Sequence, residues 1–283
     1  MPLAATRFGL DCEKIQCTEF DKDKAGYWDD CVKGSSSLRA ALARALDIDL
    51  ATANGMSVVA ILWDLSKFFD RINLSHLIRA SLKLGFSPVA ALMALKAHRA
   101  TRALTVRTGA GECLSDYIVP NSQSILAGCI FSVTFARMFL YDLLEHMHVA
   151  HPGTRLNSWV DDMFQSTRAG QGQEDYCVSL AIDAAKDFHN RVGKLGGLIS
   201  KKTVALASTT SLYAKLKTAL LKAKLPIKLS SVGKDLGCDI SIGAQRGARS
   251  ARKHFAASFA RARKVKKLML KHRGHAASLN NRA

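Results

Sequence analysis

The chain has 283 residues and a formal net charge of +18, with 48% hydrophobic and 23% charged residues. These fractions are typical of globular proteins and exclude a disordered tail, a collagen-like rod and a coiled coil. The apolar run at residues 125–136 is too short to span a bilayer, so we expect no membrane partner.

The first half of the chain predicts helices around one buried strand. Apolar residues recur at helical spacing over residues 38–46, and Asn54-Gly55 then indicates a turn. A run of β-branched and aromatic residues at 57–63 predicts a buried strand that ends at Asp64. Two helices and a short strand are predicted next, at 74–84, 88–100 and 103–107.

The second half begins with a long apolar helix, predicted at residues 124–147 and ended by Pro152-Gly153. Residues 156–165 alternate weakly and carry two acids at their centre, which indicates a hairpin. The remaining predicted elements are an amphipathic helix, two short strands and a basic helix, at 175–195, 203–207, 239–242 and 248–272. Because helices and strands do not alternate regularly, the predicted fold class is α+β.

The positive charge is concentrated in the tail. Residues 245–283 contain 12 Lys and Arg and no Asp or Glu. A surface of this kind attracts nucleic acid or an anionic membrane, and we expect nucleic acid. The alternative is a solvated helix or a nuclear-localisation-like run at residues 261–267. The predicted nucleic-acid-binding residues are Arg249, Arg252, Lys253, Arg261, Arg263, Lys264, Lys266 and Lys267.

Cysteines and histidines give no metal pattern. The seven cysteines have no paired zinc-ligand spacing, and we expect reduced thiols in an intracellular protein, nuclear or cytoplasmic and not secreted. His146, His148 and His151 are close in sequence, but no further ligand completes a zinc set, so we expect a solvated helix end.

Three carboxylates lie where burial would be costly. Asp64 directly follows the buried strand, and Asp161 and Asp162 are adjacent acids between apolar residues. An ionised carboxylate near a core needs a partner or a cation, and two adjacent acids repel each other. A shared divalent metal explains both features, and three acids could hold two ions about 3.5–4 Å apart.

A second Asp-Asp pair competes for this interpretation. Tyr27-Trp28-Asp29-Asp30 matches a Tyr-x-Asp-Asp pattern even better than Trp159-Val-Asp-Asp162 does. It lacks a flanking strand and precedes Asp64, so we expect Asp29 and Asp30 to be a solvated surface pair or a helix start.

The order of the acidic segments along the chain, Asp64 first and Asp161-Asp162 later, resembles that of the reverse transcriptases, especially those of non-long-terminal-repeat retroelements. Asp64-Leu-Ser-Lys-Phe-Phe-Asp70 resembles motif A, and Trp159-Val-Asp-Asp162 resembles the Tyr/Phe-x-Asp-Asp of motif C. Gly197-Leu-Ile-Ser-Lys-Lys-Thr203 resembles motif D, and Lys234-Asp-Leu-Gly237 resembles motif E. The resemblance covers roughly residues 57–240.

The resemblance implies a right-hand polymerase palm, an antiparallel sheet packed on helices, with partial fingers and a thumb-like basic helical tail. The domains expected from it are an N-terminal partial-fingers segment at 1–56, the palm at 57–243 with inserted fingers helices at 74–120, and the tail at 244–283. The implied activity is RNA-directed DNA synthesis from dNTPs on a primer and template, with Mg²⁺ or Mn²⁺ as cofactor.

The resemblance also implies residue roles. Asp64, Asp161 and Asp162 correspond to the metal-binding acids, which the carbonyl of Leu65 often joins. Phe69 corresponds to the aromatic side chain that excludes a ribose 2′-hydroxyl, although Phe68 could take that place and leave Phe69 in the core. Lys202 corresponds to a lysine proposed to protonate pyrophosphate.

Two features depart from the family pattern. Motif B lacks its Gln-Gly pair, and Gln123 with the small residues Ala127 and Gly128 is expected to contact template and nucleotide instead. Few residues precede Asp64, so we expect truncated fingers or a piece of a larger retroelement polyprotein. The alternatives are therefore a catalytically inactive nucleic-acid-binding remnant, and an RNA-directed RNA polymerase.

Overall fold

The structure is a computed structural model that describes residues 15–108, 111–118, 123–242, 256, 259–260, 263–264 and 266. The helices are α1 (15–24), α2 (Ser37–Ala53), α3 (Phe68–Arg71), α4 (Leu74–Lys83), α5 (Pro88–Arg99), α6 (Ser132–Ala150), α7 (Glu174–Lys194) and α8 (Thr210–Ala223). The strands are β1 (Ser57–Asp64), β2 (Arg102–Thr108), β3 (Gly111–Ile118), β4 (Thr154–Trp159), β5 (Asp162–Ala169), β6 (Val204–Ala207), β7 (Lys228–Leu229), β8 (Val232–Asp235) and β9 (Cys238–Ser241).

A five-stranded sheet with the order β4-β5-β1-β6-β7 forms the centre of the fold. The pairs β4–β5, β5–β1 and β1–β6 are antiparallel, whereas β7 adds to β6 in parallel. Two hairpins, β2–β3 and β8–β9, lie outside this sheet. The predicted α+β class, with an antiparallel sheet packed on helices, is confirmed.

Strand β1 is buried on both faces of the sheet. Val59, Ile61 and Trp63 belong to a large core shared with α4–α8. The alternate residues Val58, Ala60 and Leu62 belong to a smaller core under α2 and the β8–β9 hairpin. Because both faces of this strand are buried, successive residues are apolar and form a continuous run in the sequence. This run explains why the strand could be predicted.

The long apolar helix differs from its prediction at one end. The sequence predicts it from residue 124, but α6 begins at Ser132 and ends at Ala150. Ser124 has a φ of +86° and Gly128 a φ of +83°, and right-handed helices do not contain such residues. Residues 123–131 therefore form an irregular segment that returns beside α3.

Helix α8 is a finding of the structure that the sequence analysis did not predict. It begins after the N-cap Thr209, whose side chain accepts a hydrogen bond from the Leu212 N–H. Leu212, Leu216 and Leu220 then pack into the large core at helical spacing. Among the described residues, no helix is long and apolar enough to cross a membrane.

Candidate active site

The pairing of β1 with β5 brings together two acids that are 98 positions apart in the chain. In this antiparallel register Asp64, the last residue of β1, lies opposite Asp162, the first residue of β5. Trp159 of β4 also pairs with Asp162, so Val160 and Asp161 alone form the loop between the two strands. All three predicted metal-binding acids therefore lie at one end of the sheet.

The backbone of this loop is strained. Val160 has a φ of +59°, which is unfavourable for a β-branched residue. Its side chain packs against the large core and lines a small crevice with Trp28 and Leu140. Packing of this kind can hold a backbone conformation that costs about 1–3 kcal/mol, and such conformations cluster at functional sites.

The carboxylates at this end repel one another. Burial, with the charge of Asp64 acting in the same direction, raises the pKa of Asp161. Burial and the charges of Asp161, Asp235 and Asp64 raise the pKa of Asp162 to about 6, against an opposing effect of Arg44. A site that concentrates negative charge in this way is stabilised by a cation.

The segment resembling motif D lies directly beside Asp64. The Ser200 N–H donates a 2.8 Å hydrogen bond to the Asp64 carbonyl, and the Asp64 N–H donates to the Thr203 hydroxyl at 3.2 Å. Gly196, with a φ of +79°, ends α7 and turns the chain back toward β1. Thr203 is fully buried, so these contacts hold the backbone of Asp64 from the side opposite β5.

The β8–β9 hairpin closes a cleft over the acids. Asp64, Asp162 and Lys202 line this cleft of about 440 Å³, together with residues 232–237 of the hairpin. Gly233 permits the close approach, because a Cβ there would lie 2.2 Å from the Leu62 side chain. The predicted proton donor Lys202 thus shares one cleft with two of the predicted metal-binding acids.

The two neighbouring phenylalanines in the segment resembling motif A have different environments. Phe68 is 6% exposed and packs edge-on against the Phe139 ring, whereas Phe69 is only partly buried. The core position therefore belongs to Phe68. Leu65, whose carbonyl was expected at the metal, is buried and bridges to Ile199 in the segment resembling motif D.

The irregular segment before α6 runs antiparallel to α3 and the residues that follow it. The Ile125 N–H donates to the Phe69 carbonyl at 3.0 Å, and Gln123 bridges to Asn73. Gln123 is therefore held a few residues from Phe69, and Ala127 and Gly128 are exposed in the turn beyond. Residues 119–122 of the same motif lie outside the described part of the chain.

The prediction for the other Asp-Asp pair is wrong. The Asp29 carboxylate is 6% exposed and accepts a hydrogen bond from the Arg137 Nε, and Arg137 also pairs with Asp21. The Ser158 N–H donates to the Trp28 carbonyl at 2.7 Å, and the Asp30 N–H donates to the Ser158 carbonyl at 2.9 Å. This segment is thus an added strand-like edge beside β4 rather than a solvated pair or a helix start.

Arg44 is a buried residue near the site that the sequence analysis missed. Its side chain is 3% exposed and binds Asp30 at 2.8 Å and both carboxylate oxygens of Asp235 at 2.8 and 3.1 Å. The guanidinium also lies 5.4 Å from the centre of the Phe164 ring. The sequence contained one signal for a buried Arg44, which is a charged residue among the apolar positions of α2. Arg44 thus connects α2 to Phe164 of β5 and to Asp235 at the end of β8.

The donor chemistry at the end of the sheet fits magnesium. Mg²⁺ prefers oxygen ligands and commonly uses one or two carboxylates together with water and substrate phosphates. Within the described ranges, no three His, Cys, Asp or Glu side chains are close enough to hold a metal ion by themselves. In the described structure Asp64, Asp161 and Asp162 therefore do not form a three-ligand site by themselves, and their binding of magnesium stays a prediction from the sequence.

The predicted tail residues are only partly described. Arg263, Lys264 and Lys266 are helical and exposed. The other predicted binding residues lie outside the described residues, and they are Arg249, Arg252, Lys253, Arg261 and Lys267. The histidines at the end of α6 are not a simple solvated end, because His146 and His151 both contact Asp187, at 2.9 and 3.1 Å.

Comparison with known proteins shows which structures this fold is similar to. No family model and no curated protein matches this chain. The structure of apo telomerase from Candida tropicalis, truncated from its C-terminal domain, matches at 16% identity and a TM-score of 0.51. That match covers 84% of this chain and 44% of the telomerase chain.

A second structure is a telomerase from the same organism in complex with a TWJ fragment of telomeric RNA. It matches at 13% identity with a TM-score of 0.48, over 71% of this chain and 33% of that chain. The chain thus spans less than half the length of the telomerase chains it matches. Its fold is that of a reverse-transcriptase-like polymerase palm.

Proposed function

We propose that this chain is an RNA-directed DNA polymerase domain that transfers nucleotides from dNTPs to a primer 3′-hydroxyl. The observation that carries the proposal is the register of β1 with β5, which sets Asp64 opposite Asp162 with Asp161 in the adjoining loop. The polymerase-like fold supports it, since Asp64 and Asp162 line an open cleft. Membership of a retroelement polyprotein remains a prediction from the sequence.

In the proposed reaction, the 3′-hydroxyl loses its proton to water and its oxygen bonds to the α-phosphorus of the dNTP. The bond from that phosphorus to the bridging oxygen breaks, and pyrophosphate leaves. Mg²⁺ held by Asp64, Asp161 and Asp162 would neutralise the negative charge that develops on the phosphoryl oxygens. The Lys202 ammonium, at the rim of the same cleft, would donate a proton to the departing pyrophosphate.

Phe69 distinguishes this proposal from an RNA-directed RNA polymerase. A ring beneath the sugar leaves no room for a 2′-hydroxyl, and Phe69 is the partly exposed member of the Phe68–Phe69 pair. We expect Phe69→Ala to increase incorporation of rNTPs. Unchanged sugar selectivity in that variant would instead assign Phe69 to packing.

The deciding experiment is primer extension on an RNA template with Mg²⁺, with dNTPs and rNTPs compared. We expect extension with dNTPs that falls at least about 10³-fold in Asp161→Asn, equivalent to about 4 kcal/mol of barrier. Asp183→Asn is the matched control, since that side chain is 60% exposed on α7. Equal extension by Asp161→Asn and wild type would refute the proposal, and primer–template binding without extension would indicate an inactive remnant.

A further inference from the structure

A second basic region lies outside the tail. Residues 188–234 contain ten Lys and Arg and no Asp or Glu. Two of the ten are neutralised, since Arg191 pairs with Asp187 and Lys215 with Asp175. The other eight are exposed and form no ion pair among the described residues. We call six of them the lysine edge: Lys201, Lys202, Lys217, Lys222, Lys224 and Lys228.

The sheet topology gathers the lysine edge near the acids. Strand β6 runs antiparallel to β1 and begins just after Lys202, so its first residue lies near the end of β1 that carries Asp64. Lys228 pairs with Val204 in the parallel β6–β7 register and therefore lies at the same end. Helix α8 leads into β7, which brings Lys222 and Lys224 to this end too.

The extent of the lysine edge indicates a long polyanion. Neighbouring strands are about 4.8 Å apart, so β7 lies about 10 Å from β1. Lys217 is a further seven residues along α8 from Lys224, or about 10 Å at 1.5 Å per residue. These two distances run in different directions, so the lysine edge extends about 10 Å across the strands and about 10 Å along α8, which is about three phosphates of a nucleic-acid strand at 3.4 Å each in either direction. One triphosphate would occupy only the part beside Lys202.

Local stability accounts for few of these lysines. Lys222 is in the last turn of α8, where a cation favours the helix dipole. That effect does not extend to Lys217 or Lys228. A membrane surface is also a poor fit, because the apolar face of α8 is already buried through Leu212, Leu216 and Leu220.

We propose that the lysine edge is a nucleic-acid-binding surface, separate from the basic tail, along which a strand passes beside the acid cleft. The proposal rests on the proposed function only in taking nucleic acid as the partner. Contacts of lysine with phosphate carry no sequence information, so binding here is sequence-independent and weakens with salt.

The test measures binding of the full chain to a labelled single-stranded RNA and a matching DNA across a salt series. The variant is K217Q/K222Q/K224Q/K228Q, which leaves Lys202 intact. The control is K22Q/K33Q/K83Q/K96Q, which removes the same charge from exposed lysines elsewhere. Because each lost phosphate contact lowers the salt slope by about 0.7 for a single strand, we expect a slope reduced by about 2–3 in the variant and nearly unchanged in the control.

Equal losses in both variants would overturn the proposal, since net charge alone would then explain binding. Unchanged nucleic-acid binding with lost binding to vesicles containing phosphatidylserine would overturn it in favour of a membrane. Primer extension on the same samples separates this proposal from the previous one. A chain that binds through the lysine edge but never extends a primer would refute only the polymerase activity, and a polymerase unaffected by the variant would refute only the lysine edge.

Discussion

The two Asp-Asp pairs of this chain have nearly the same letters and opposite surroundings. Asp29 and Asp30 are bound by Arg137 and Arg44, and each guanidinium also binds a second carboxylate. In the described part of the chain, Asp161 and Asp162 form no ion pair, and both have a raised pKa. The fold supplies cations to the first pair and none to the second among the described residues. The difference comes from the partners that the fold supplies, and four variants test it.

The largest effect is expected from Arg137→Met. This change leaves the buried Asp29 carboxylate and the partly buried Asp21 without their cation, and removing one partner of a buried ion pair typically costs about 3–5 kcal/mol. Denaturant unfolding measures the loss. The matched control is Arg155→Met, because Arg155 is 60% exposed and its contact with Asp47 is 3.4 Å, so a change below about 1 kcal/mol is expected. A loss in Arg137→Met no larger than in the control would contradict a structural role for the first pair.

Asp162→Asn should change the free energy of unfolding in the opposite direction, because it should stabilise the metal-free fold. The folded pKa of Asp162 is raised from 3.8 to about 6, so the folded chain holds a proton that the unfolded chain loses. Stability from this group is present below the unfolded pKa and is lost as pH rises through about 6. At neutral pH the variant should gain at most about 3 kcal/mol, from about two pKa units at 1.36 kcal/mol each.

Thermal unfolding in a chelator from pH 4 to 8 checks this expectation. Burial is the largest cause of the raised pKa of Asp162, and the charged groups that act on it are Asp161, Asp235, Asp64 and Arg44. The melting temperatures of Asp162→Asn and wild type should agree near pH 4, diverge as the pH rises to about 6, and differ by a nearly constant amount above that pH. If Asp162→Asn is less stable than wild type at pH 7, the carboxylate is paired in the fold and the contrast fails.

Asp30→Asn should cost less than Arg137→Met, about 1–2 kcal/mol. Arg44 loses one charged partner but keeps both hydrogen bonds to Asp235, and the Asp30 side chain is already 22% exposed. Asp142→Asn is the surface control, since Asp142 and Lys83 are both more than 60% exposed. Chemical denaturation of the two variants should separate them by about 1 kcal/mol, and equal stabilities would show that Asp30 is effectively solvated.

The smallest change in stability is expected from Val160→Gly. Glycine removes the strain of a positive φ but also removes apolar contacts with the core, and both effects are near 1 kcal/mol. The free energy of unfolding should therefore move by less than about 1 kcal/mol, while primer extension falls because the loop carrying Asp161 is looser. A loss above 2 kcal/mol would mean that the backbone of Val160 is not strained.

Much of the fold could be predicted from local signals. Strand β1 is apolar on both faces and was predicted from its continuous apolar run. Asp161 lies in the β4–β5 loop and Asp162 begins β5, which agrees with the predicted hairpin. The start of α6 was missed because Ser124 and Gly128 adopt positive φ within an apolar run. Helix α8 could have been found, since Thr209 and three leucines at intervals of four residues predict a capped helix.

The partners of the carboxylates could not be predicted in this way. Asp29 is 108 residues from Arg137, and Arg44 is 191 residues from Asp235. Nothing local to Trp28-Asp29-Asp30 shows that two arginines converge there, so the pair resembled a solvated one. In contrast, the family resemblance grouped Asp64 with Asp161 and Asp162 as metal-binding acids, and the β1–β5 register sets Asp64 opposite Asp162.

The contact between Arg44 and Asp235 has a consequence for synthesis of the chain on the ribosome. Its two residues are separated by 191 positions, so at about 5–20 residues per second Asp235 is added about 10–40 s after Arg44. During that interval the nascent chain carries an arginine destined for the interior with one of its two carboxylates missing. A truncated chain that ends before the β8–β9 hairpin would lack Asp235, so Arg44 would never gain this partner. We expect cellular proteases to degrade such a chain.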